Sequence, residues 1–162
     1  MISTIVFTQA FNAQNTIKRT IDSILNQTSG DFEYYLLDNG STDNTGDIIA
    51  EYVKIDKRVK PIRVNTNDIT NGGAFLTTII NLTSAKYLVW CDSDDEYASE
   101  FLENMVAFSE ENQLDIAACG YRKIDAFTNA VTKHRALSEN LVLYGNAFVD
   151  EFIKYKIGRA HV

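Results

Sequence analysis

The stretch that decides the fold reads Tyr87-Leu88-Val89-Trp90-Cys91-Asp92-Ser93-Asp94-Asp95. An apolar run that ends abruptly in polar residues is typical of a strand buried on both faces, as in the middle of a parallel sheet. Its acids then lie at the carboxyl end of the strand, the edge where open α/β sheets bind ligands. Two carboxylates separated by one residue can share a divalent cation with phosphate oxygens. The stretch therefore predicts a site for a metal ion and a diphosphate, with a solvated acidic turn as the alternative for a bare Asp-x-Asp.

Strands and amphipathic helices alternate along most of the chain. β-branched and aromatic runs predict further strands at residues 2–8, 32–37, 59–64 and 114–119, and a β-hairpin at 121–133 that turns near Thr128-Asn129. Apolar residues at helical spacing predict helices after a cap at Asn15, after Ser41-Thr42-Asp43, over 74–82, after a cap at Ser99 and over 144–155. This alternation favours an α/β, Rossmann-like fold, a mostly parallel sheet flanked by helices on both faces.

A single domain is predicted for residues 1–156. The chain has 162 residues, 45% of them hydrophobic, which is enough for one core. Residues 157–162, Ile-Gly-Arg-Ala-His-Val, match the in-frame translation of a common sequencing adapter. We interpret them as a scar that cuts the natural chain short, and leave them out of the fold.

The charge and the cysteines argue against several classes of function. The net charge is −7, with 22 acidic and 15 basic residues and no Lys/Arg block, so binding to the phosphate backbone of nucleic acid is not expected. Cys91 and Cys119 lie in apolar runs and make no disulfide framework, which suits a reducing cytosol. No stretch has the composition of a secretion signal or the length of a membrane span. A cytoplasmic location is expected, with a peripheral position at the inner face of the membrane as a second option.

Two separate predicted strands end in acid, at Asp38 and at Asp92. In a parallel sheet both ends lie at one edge, so the two regions are expected to face one cleft. Asp38 is a plausible acceptor for the imide N–H of uracil or guanine, but it is equally compatible with an Asx-turn or a helix cap. Neither a P-loop nor a dinucleotide-binding glycine pattern is present.

Four motifs, in this order and spacing, together resemble the amino-terminal half of a family 2 glycosyltransferase with the GT-A fold. They are Phe11-Asn12-Ala13, Thr20-Ile21-Asp22-Ser23-Ile24-Leu25-Asn26-Gln27, Leu37-Asp38-Asn39-Gly40-Ser41-Thr42-Asp43-Asn44-Thr45 and Asp92-Ser93-Asp94-Asp95. The resemblance covers residues 2 to about 123. It implies a nucleotide-sugar donor, with a UDP-sugar favoured, and a Mg²⁺ or Mn²⁺ ion that bridges the diphosphate.

The resemblance also implies roles for individual residues. Asp38 matches the base-binding aspartate, and the segment from Thr8 to Phe11 matches the loop that lines the nucleoside. Asp92 matches the first acid of the Asp-x-Asp motif, and Asp94 matches the metal ligand. The residues expected to bind the nucleotide sugar are Thr8, Ala10, Phe11, Asp38, Asn39, Ser41, Asp92 and Ser93, and those expected at the metal are Asp94 and Asp92. The ion would neutralise charge that builds on the departing nucleoside diphosphate.

This chain departs from the family pattern in two places. Gln9 stands where many relatives have Pro, and Phe75-Leu76-Thr77 stands where they have Ala-Arg-Asn, so a cation expected near the donor is missing. In the family an acidic general base lies well downstream of the metal motif. We expect it beyond the end of this chain, and the catalytic base is left unassigned.

The expected function is therefore inverting, metal-dependent transfer of a sugar from a nucleotide donor to a glycan or lipid-linked acceptor, as in bacterial polysaccharide biosynthesis. Two alternatives stay open. One is a non-catalytic nucleotide-binding module. The other is a phosphotransferase that uses Asp-x-Asp as nucleophile and acid; such enzymes usually carry the motif on the first strand of their domain, whereas here three predicted strands precede it.

Overall fold

A computed structural model of the protein describes residues 2–68, 70–125 and 128–134. The described residues fall into two compact units, divided between Val106 and Ala107. The candidate site lies within the first unit. The predicted helix over 144–155 and the predicted scar at 157–162 lie outside the described residues.

The first unit is built on a four-stranded parallel sheet in the order β3-β2-β1-β4. The strands are β1 (Thr4–Ala10), β2 (Phe32–Asn39), β3 (Val59–Val64) and β4 (Tyr87–Trp90). The helices are α1 (Ile17–Leu25), α2 (Thr45–Ile55), α3 (Thr70–Leu82) and α4 (Phe101–Asn112). The predicted mostly parallel α/β architecture is confirmed. β3, which contains Pro61, lies at one edge of the sheet, a place that tolerates Pro because its nitrogen cannot donate to a ladder.

Both faces of the sheet are covered. On one face α1 and α2 pack against alternate strand residues; the buried members of this cluster include Val6, Ala10, Ile17, Ile21, Ile24, Tyr34, Leu36, Ile49 and Tyr52. On the other face α3 packs through Ile79 against Ile5, Phe7 and Leu37. β1 and β2 are therefore buried on both sides, which explains their continuous rather than alternating apolar runs. The prediction that β4 is buried on both faces in the middle of the sheet is wrong, because β4 lies at an edge of the described sheet and its Leu88 and Trp90 side chains are exposed.

The carboxyl ends of β1, β2 and β4 lie at one edge of the sheet. Ala10 pairs in register with Asp38, and Phe7 pairs with Trp90. The Cys91 N–H donates to the Phe7 carbonyl at 3.0 Å, so the segment that follows β4 leaves the sheet beside the end of β1. This register brings the Asp38-Asn39 and Asp92–Asp94 regions to the same edge, as the sequence predicts.

Helix starts differ from the predictions at two places. α1 follows Thr16 rather than a cap at Asn15, because the Thr16 and Ile17 N–H groups already turn back to the Ala13 carbonyl at 3.0 and 2.8 Å. α3 begins at Thr70, four residues before the predicted start at residue 74. There the Asp68 side chain accepts a hydrogen bond from the Thr70 N–H at 2.8 Å, which satisfies an otherwise unpaired donor of the first turn.

The described part of the second unit contains a β-hairpin of β5 (Tyr121–Ile124) and β6 (Val131–His134), as predicted. The predicted strand at residues 114–119 is wrong: this segment is not in a strand, and Ile116 is exposed. A strand requires a neighbour that supplies backbone partners, and an apolar run alone does not show whether one is available.

Candidate donor-binding cleft

A cleft of about 420 Å³ opens at the carboxyl edge of the sheet. Its walls come from the ends of three strands and from the loop that follows β3. The lining residues are Gln9, Phe11, Asn39, Asn67, Trp90, Asp92 and Ser93. Four residues of the sequence prediction, Phe11, Asn39, Asp92 and Ser93, are thus brought together in one cavity.

The β2 side of the cleft is held by a chain of side-chain amides. Asn39, which is 1% exposed, donates from Nδ2 to Asn67 Oδ1 at 2.8 Å and to the Asp68 carbonyl at 3.0 Å. Its Oδ1 accepts from Asn71 Nδ2 at 2.7 Å. Because both donors of Asn39 are used, the orientation of its amide is fixed, and Oδ1 keeps one lone pair.

Gly40 allows the loop after β3 to approach the end of β2. Its φ is +80°, and a Cβ atom there would lie 2.7 Å from the Thr66 carbonyl carbon and 2.8 Å from the Asn67 nitrogen. Only glycine fits both the left-handed conformation and this backbone contact. The Asn39-Gly40 turn therefore holds Asn67 at the rim of the cleft.

Gln9 lies on the floor of the cleft, against the backbone of α3. A Cβ atom on Gly72 would stand 1.9 Å from Gln9 Oε1 and 3.3 Å from Trp90 Cη2. The absence of a side chain at Gly72 thus makes room for the Gln9 amide. The Trp90 ring also contacts Phe7, with 5.0 Å between the ring centroids, so it stays rigid beside the cavity.

The acidic segment forms the β4 side. Trp90 Nε1 donates to Asp92 Oδ1 at 2.8 Å, and the Asp95 N–H donates to the Asp92 carbonyl at 3.1 Å. The Asp94 side chain is exposed, and its backbone carbonyl accepts from Arg19 at 3.0 Å. Both carboxylates of the Asp-x-Asp pair are thus solvent-accessible on one short turn.

This donor set suits a hard divalent cation only in part. Within the described portion of the chain, no group of three or more His, Cys, Asp or Glu residues is arranged to hold a metal ion. Mg²⁺ is commonly bound by one or two carboxylates together with substrate phosphates and water, and two accessible Asp carboxylates fit that mode. The residues fit an ion that arrives with a phosphorylated ligand.

Cys91 lies beneath the acidic turn and is buried. Burial, followed by the negative charges of Asp95 and Asp92, raises the pKa of its thiol to about 12. A thiol with such a pKa stays protonated and unreactive at neutral pH. Cys91 thus acts as a small core residue rather than a nucleophile.

The structure places Asp38 on the opposite face of the sheet from the cleft. Its side chain is 2% exposed, and Oδ1 accepts from the Ser41 N–H at 2.9 Å, the Asx-type contact that was the alternative reading. Oδ2 is buried without a hydrogen-bond partner among the described residues, with Arg63 Nε 3.5 Å away. A Cβ atom on Gly46 of α2 would lie 2.7 Å from this oxygen. The carboxylate therefore sits under α2, whereas the next side chain, Asn39, lines the cleft.

Four other predicted site residues also lie outside the lining of the cleft: Thr8, Ala10, Ser41 and Asp94, the last of which is exposed on the turn beside it. Thr8 and Ala10 are fully buried, and the Thr8 hydroxyl shares a hydrogen bond of 3.0 Å with the Tyr34 hydroxyl. Ser41 Oγ accepts from the Asn12 N–H at 3.0 Å. Thr42 N–H donates in turn to Asn12 Oδ1 at 2.9 Å, so these motif residues join the first two loops at the sheet edge.

Sequence reasoning assigned no role to two residues that line the cleft, Asn67 and Trp90. Gln9 lies within the segment from Thr8 to Phe11 that the resemblance matches to the nucleoside, and it does line the cleft. No comparable signal marked Asn67, which reaches the cleft only because Gly40 permits close packing. Phe75 and Leu76, at the expected Ala-Arg-Asn position, pack against the core on the α3 face.

Comparison with known proteins agrees with this architecture. Residues 5–159 match the family described as Glycosyl transferase family 2. The chain belongs to this family. It is 34% identical over 115 residues to the uncharacterized glycosyltransferase EpsJ of Bacillus subtilis, a match that covers 70% of this chain and 32% of EpsJ. It is 35% identical over 108 residues to a poly(ribitol-phosphate) beta-glucosyltransferase of Bacillus spizizenii, which covers 65% of this chain and 17% of that protein.

Solved structures share the GT-A fold of this family 2 chain. Residues 1–349 of Staphylococcus aureus TarS in complex with UDP superpose with a TM-score of 0.60 at 24% identity, over 68% of this chain and 33% of that one. The mannosyltransferase PcManGT of Pyrobaculum calidifontis, in complex with GDP-Man and Mn²⁺, gives a TM-score of 0.58 at 20% identity, over 72% of this chain and 34% of that one. The chain thus spans about a third of EpsJ and of these solved chains. None of its described helices is both long and apolar enough to cross a membrane.

Proposed function

We propose that this chain is the donor-binding part of a glycosyltransferase that takes a nucleoside diphosphate sugar, with a UDP-sugar favoured. One observation carries the proposal: a single cleft has fixed amides at the end of β2 and the accessible Asp92 carboxylate after β4, with Asp94 exposed on the same turn. These ends are two strand spacings apart, about 10 Å, which is comparable with the length of a nucleoside diphosphate. The TarS complexes with UDP and UDP-GlcNAc support this class of ligand.

The base is proposed to lie on the β2 side. Asn39 Oδ1 keeps a lone pair for an imide N–H, and the exposed Asn67 side chain can donate to a neighbouring carbonyl. An imide edge, an N–H beside a carbonyl, matches this pair of groups. Asp38 cannot take this role from its place beneath α2, so we assign the polar contact with the base to Asn39. Phe11 and Trp90, 44% and 43% exposed, offer ring faces on which flat or apolar parts of the donor can pack.

The diphosphate is proposed to lie on the β4 side, where Asp92 and Asp94 would hold Mg²⁺ or Mn²⁺. Such an ion, when bound, neutralises charge on the leaving nucleoside diphosphate. The chain's own contribution is to orient the carboxylates: Trp90 Nε1 fixes one oxygen of Asp92, and Arg19 holds the backbone at Asp94. The PcManGT complex with GDP-Man and Mn²⁺ supports an ion at such a site.

For the reaction we propose direct, inverting displacement by a hydroxyl of a glycan or lipid-linked acceptor. Asp92 is the sole carboxyl group that lines the cleft within the described residues. Its proposed role at the cation leaves the general base unassigned. A cytoplasmic location fits two cysteines that are both free of disulfide bonds.

Calorimetry of the chain with UDP, with and without Mn²⁺, tests the donor site. We expect binding that tightens when Mn²⁺ is present. Absence of heat with UDP under both conditions would remove the proposal. Binding of GDP in preference to UDP would keep the site and correct the base.

A second candidate is a module that binds the nucleotide without catalysis, and the single carboxyl group in the described lining favours it. A hydrolysis assay with a UDP-sugar distinguishes the catalytic proposal from the binding module. A catalytic chain is expected to release UDP slowly, with water as the acceptor. Donor binding without any UDP release would support the module. Hydrolysis of a generic aryl phosphate would instead point to a phosphotransferase.

A further inference from the structure

A polar stripe on α1 contacts the acidic segment from the face of the sheet opposite to α3. Its members, Arg19, Ser23 and Gln27, are spaced four residues apart, which places them on one side of the helix and its following turn. Arg19 donates to the Asp94 carbonyl at 3.0 Å, and Ser23 Oγ accepts from the Tyr97 N–H at 3.2 Å. The stripe thus contacts the acidic segment at successive positions, first at Asp94 and then at Tyr97.

Gln27 is the anchor of the stripe. It is 7% exposed, and its Nε2 donates to the Ala98 carbonyl at 2.7 Å and to the Ser23 carbonyl at 3.0 Å. Its Oε1 accepts from the Leu102 N–H at 2.9 Å, a donor in the first turn of α4 that has no partner within that helix. One buried amide therefore joins the end of α1, the end of the acidic segment and the start of α4.

The contact continues beyond Gln27. The Thr28 N–H donates to the Ser99 carbonyl at 2.9 Å, and the Thr28 hydroxyl donates to Glu103 at 2.7 Å. All of these bonds except the one to the Glu103 carboxylate include a backbone atom of the partner segment. Backbone contacts fix the course of the segment whatever its side chains do.

We propose that Arg19, Ser23 and Gln27 are positioning residues, which set the place of the Asp92–Asp94 turn so that both carboxylates engage a cation bound with a nucleoside diphosphate. The inference rests on the proposed function. It assigns a role to the α1 motif, which lies on the far face of the sheet and lines no part of the cleft. Carboxylates on an exposed turn need such support, because ligand geometry must be held to within about 0.5 Å for productive binding.

The test is the Mn²⁺ concentration that gives half-maximal UDP binding by the whole chain. Gln27→Met keeps the volume and removes the hydrogen bonds, and Arg19→Ala removes the exposed bond to the Asp94 carbonyl together with the exposed ion pair with Glu96. Each is expected to raise this concentration, by about tenfold for Gln27→Met, as for loss of other groups that orient metal ligands. Lys18→Ala removes a neighbouring exposed α1 cation and is expected to leave it unchanged.

UDP affinity in EDTA and the melting temperature separate positioning from general damage. If the three residues position the metal ligands, the folded variants should keep the wild-type affinity for UDP in EDTA. An equal loss of UDP affinity with and without Mn²⁺ would overturn the positioning role. An unchanged Mn²⁺ requirement in both Arg19→Ala and Gln27→Met would overturn it as well.

Hydrogen exchange of the free chain gives a readout that needs no ligand. The amides of Tyr97 and Leu102 are expected to exchange faster in Gln27→Met than in the Lys18→Ala control. If the wild-type chain binds no UDP, the proposed donor site is refuted whatever the role of the α1 stripe. Unchanged protection of these amides would then refute the positioning role independently.

Discussion

The adjacent glycines of α3 provide a matched pair for testing the cleft. Both lie in the first half of the helix, but a Cβ atom on Gly72 would stand 1.9 Å from Gln9 Oε1, whereas one on Gly73 meets nothing within 4 Å. Gly72→Ala and Gly73→Ala therefore make the same change to the chain and differ in what the new methyl group meets. On Gly72 it would clash with the Gln9 side chain and lie 3.3 Å from Trp90 Cη2, and both of these residues line the cleft.

The expected free energies follow from this difference. Gly73→Ala should raise the free energy of unfolding by about 0.4–1 kcal/mol, because it restricts the unfolded chain at no cost to the folded one. Gly72→Ala gains the same amount but forces the flexible end of Gln9 out of its position, at about 0.5–1.5 kcal/mol for a strained rotamer. The two effects nearly cancel. We expect Gly72→Ala to be close to neutral, about 1 kcal/mol less stable than its neighbour variant.

Ligand affinity should separate the two variants more clearly than stability does. A displaced Gln9 amide enters the space proposed for the donor and gives up its own contact, so UDP affinity should fall roughly threefold to tenfold in Gly72→Ala. Gly73→Ala should leave it unchanged. Urea unfolding and calorimetry with UDP and Mn²⁺ measure both quantities.

A double-mutant cycle makes the reasoning refutable. In a Gln9→Ala background the clash with Gln9 is gone and only the 3.3 Å approach to Trp90 Cη2 remains. Gly72→Ala should then stabilise the chain nearly as much as Gly73→Ala does, a coupling of about 1 kcal/mol. If Gly72→Ala stabilises equally with Gln9 present, the two residues do not compete for space. If UDP affinity is unchanged in Gly72→Ala, Gln9 takes no part in the site.

Three further outcomes are expected. Asp94→Asn should remove the dependence of UDP binding on Mn²⁺, measured by calorimetry, while Glu51→Gln, an exposed acid on α2, should keep it. A thiol reagent at pH 8 should modify the exposed Cys119 but not Cys91 in the folded chain, since the raised pKa of Cys91 keeps its thiol protonated well above that pH; equal labelling would contradict its burial. Gly40→Ala should lower the free energy of unfolding by about 2 kcal/mol or more in urea titration, because its left-handed backbone and the nearby loop both exclude a Cβ atom; a smaller loss would mean that the loop moves away at little cost.

The elements of the first unit were predictable because local and long-range signals agree there. The run from Tyr87 to Cys91 and its acids predicted a strand with a polar carboxyl end, and the register of β4 beside β1 confirms this, although β4 lies at an edge of the described sheet and is not buried on both faces. Agreement of this kind is what allows a sequence to specify a fold. At residues 114–119 only the local signal was present. No strand forms there. The composition of a segment does not tell whether a sheet edge is available to pair with it.

The least predictable feature of the site was the face on which each side chain of β2 lies. The apolar run suggested a strand that ends at Leu37, with Asp38 free in a loop, whereas β2 continues to Asn39. Within a strand, neighbouring side chains alternate between faces, so Asp38 follows Leu36 beneath α2 and Asn39 follows Leu37 towards α3. A strand with one solvated face would have revealed this alternation in its sequence. Leu36 and Leu37 are both fully buried, so the alternation of side chains leaves no mark on the sequence. Once β2 extends through Asn39, this alternation decides that Asn39, and not Asp38, faces the cleft.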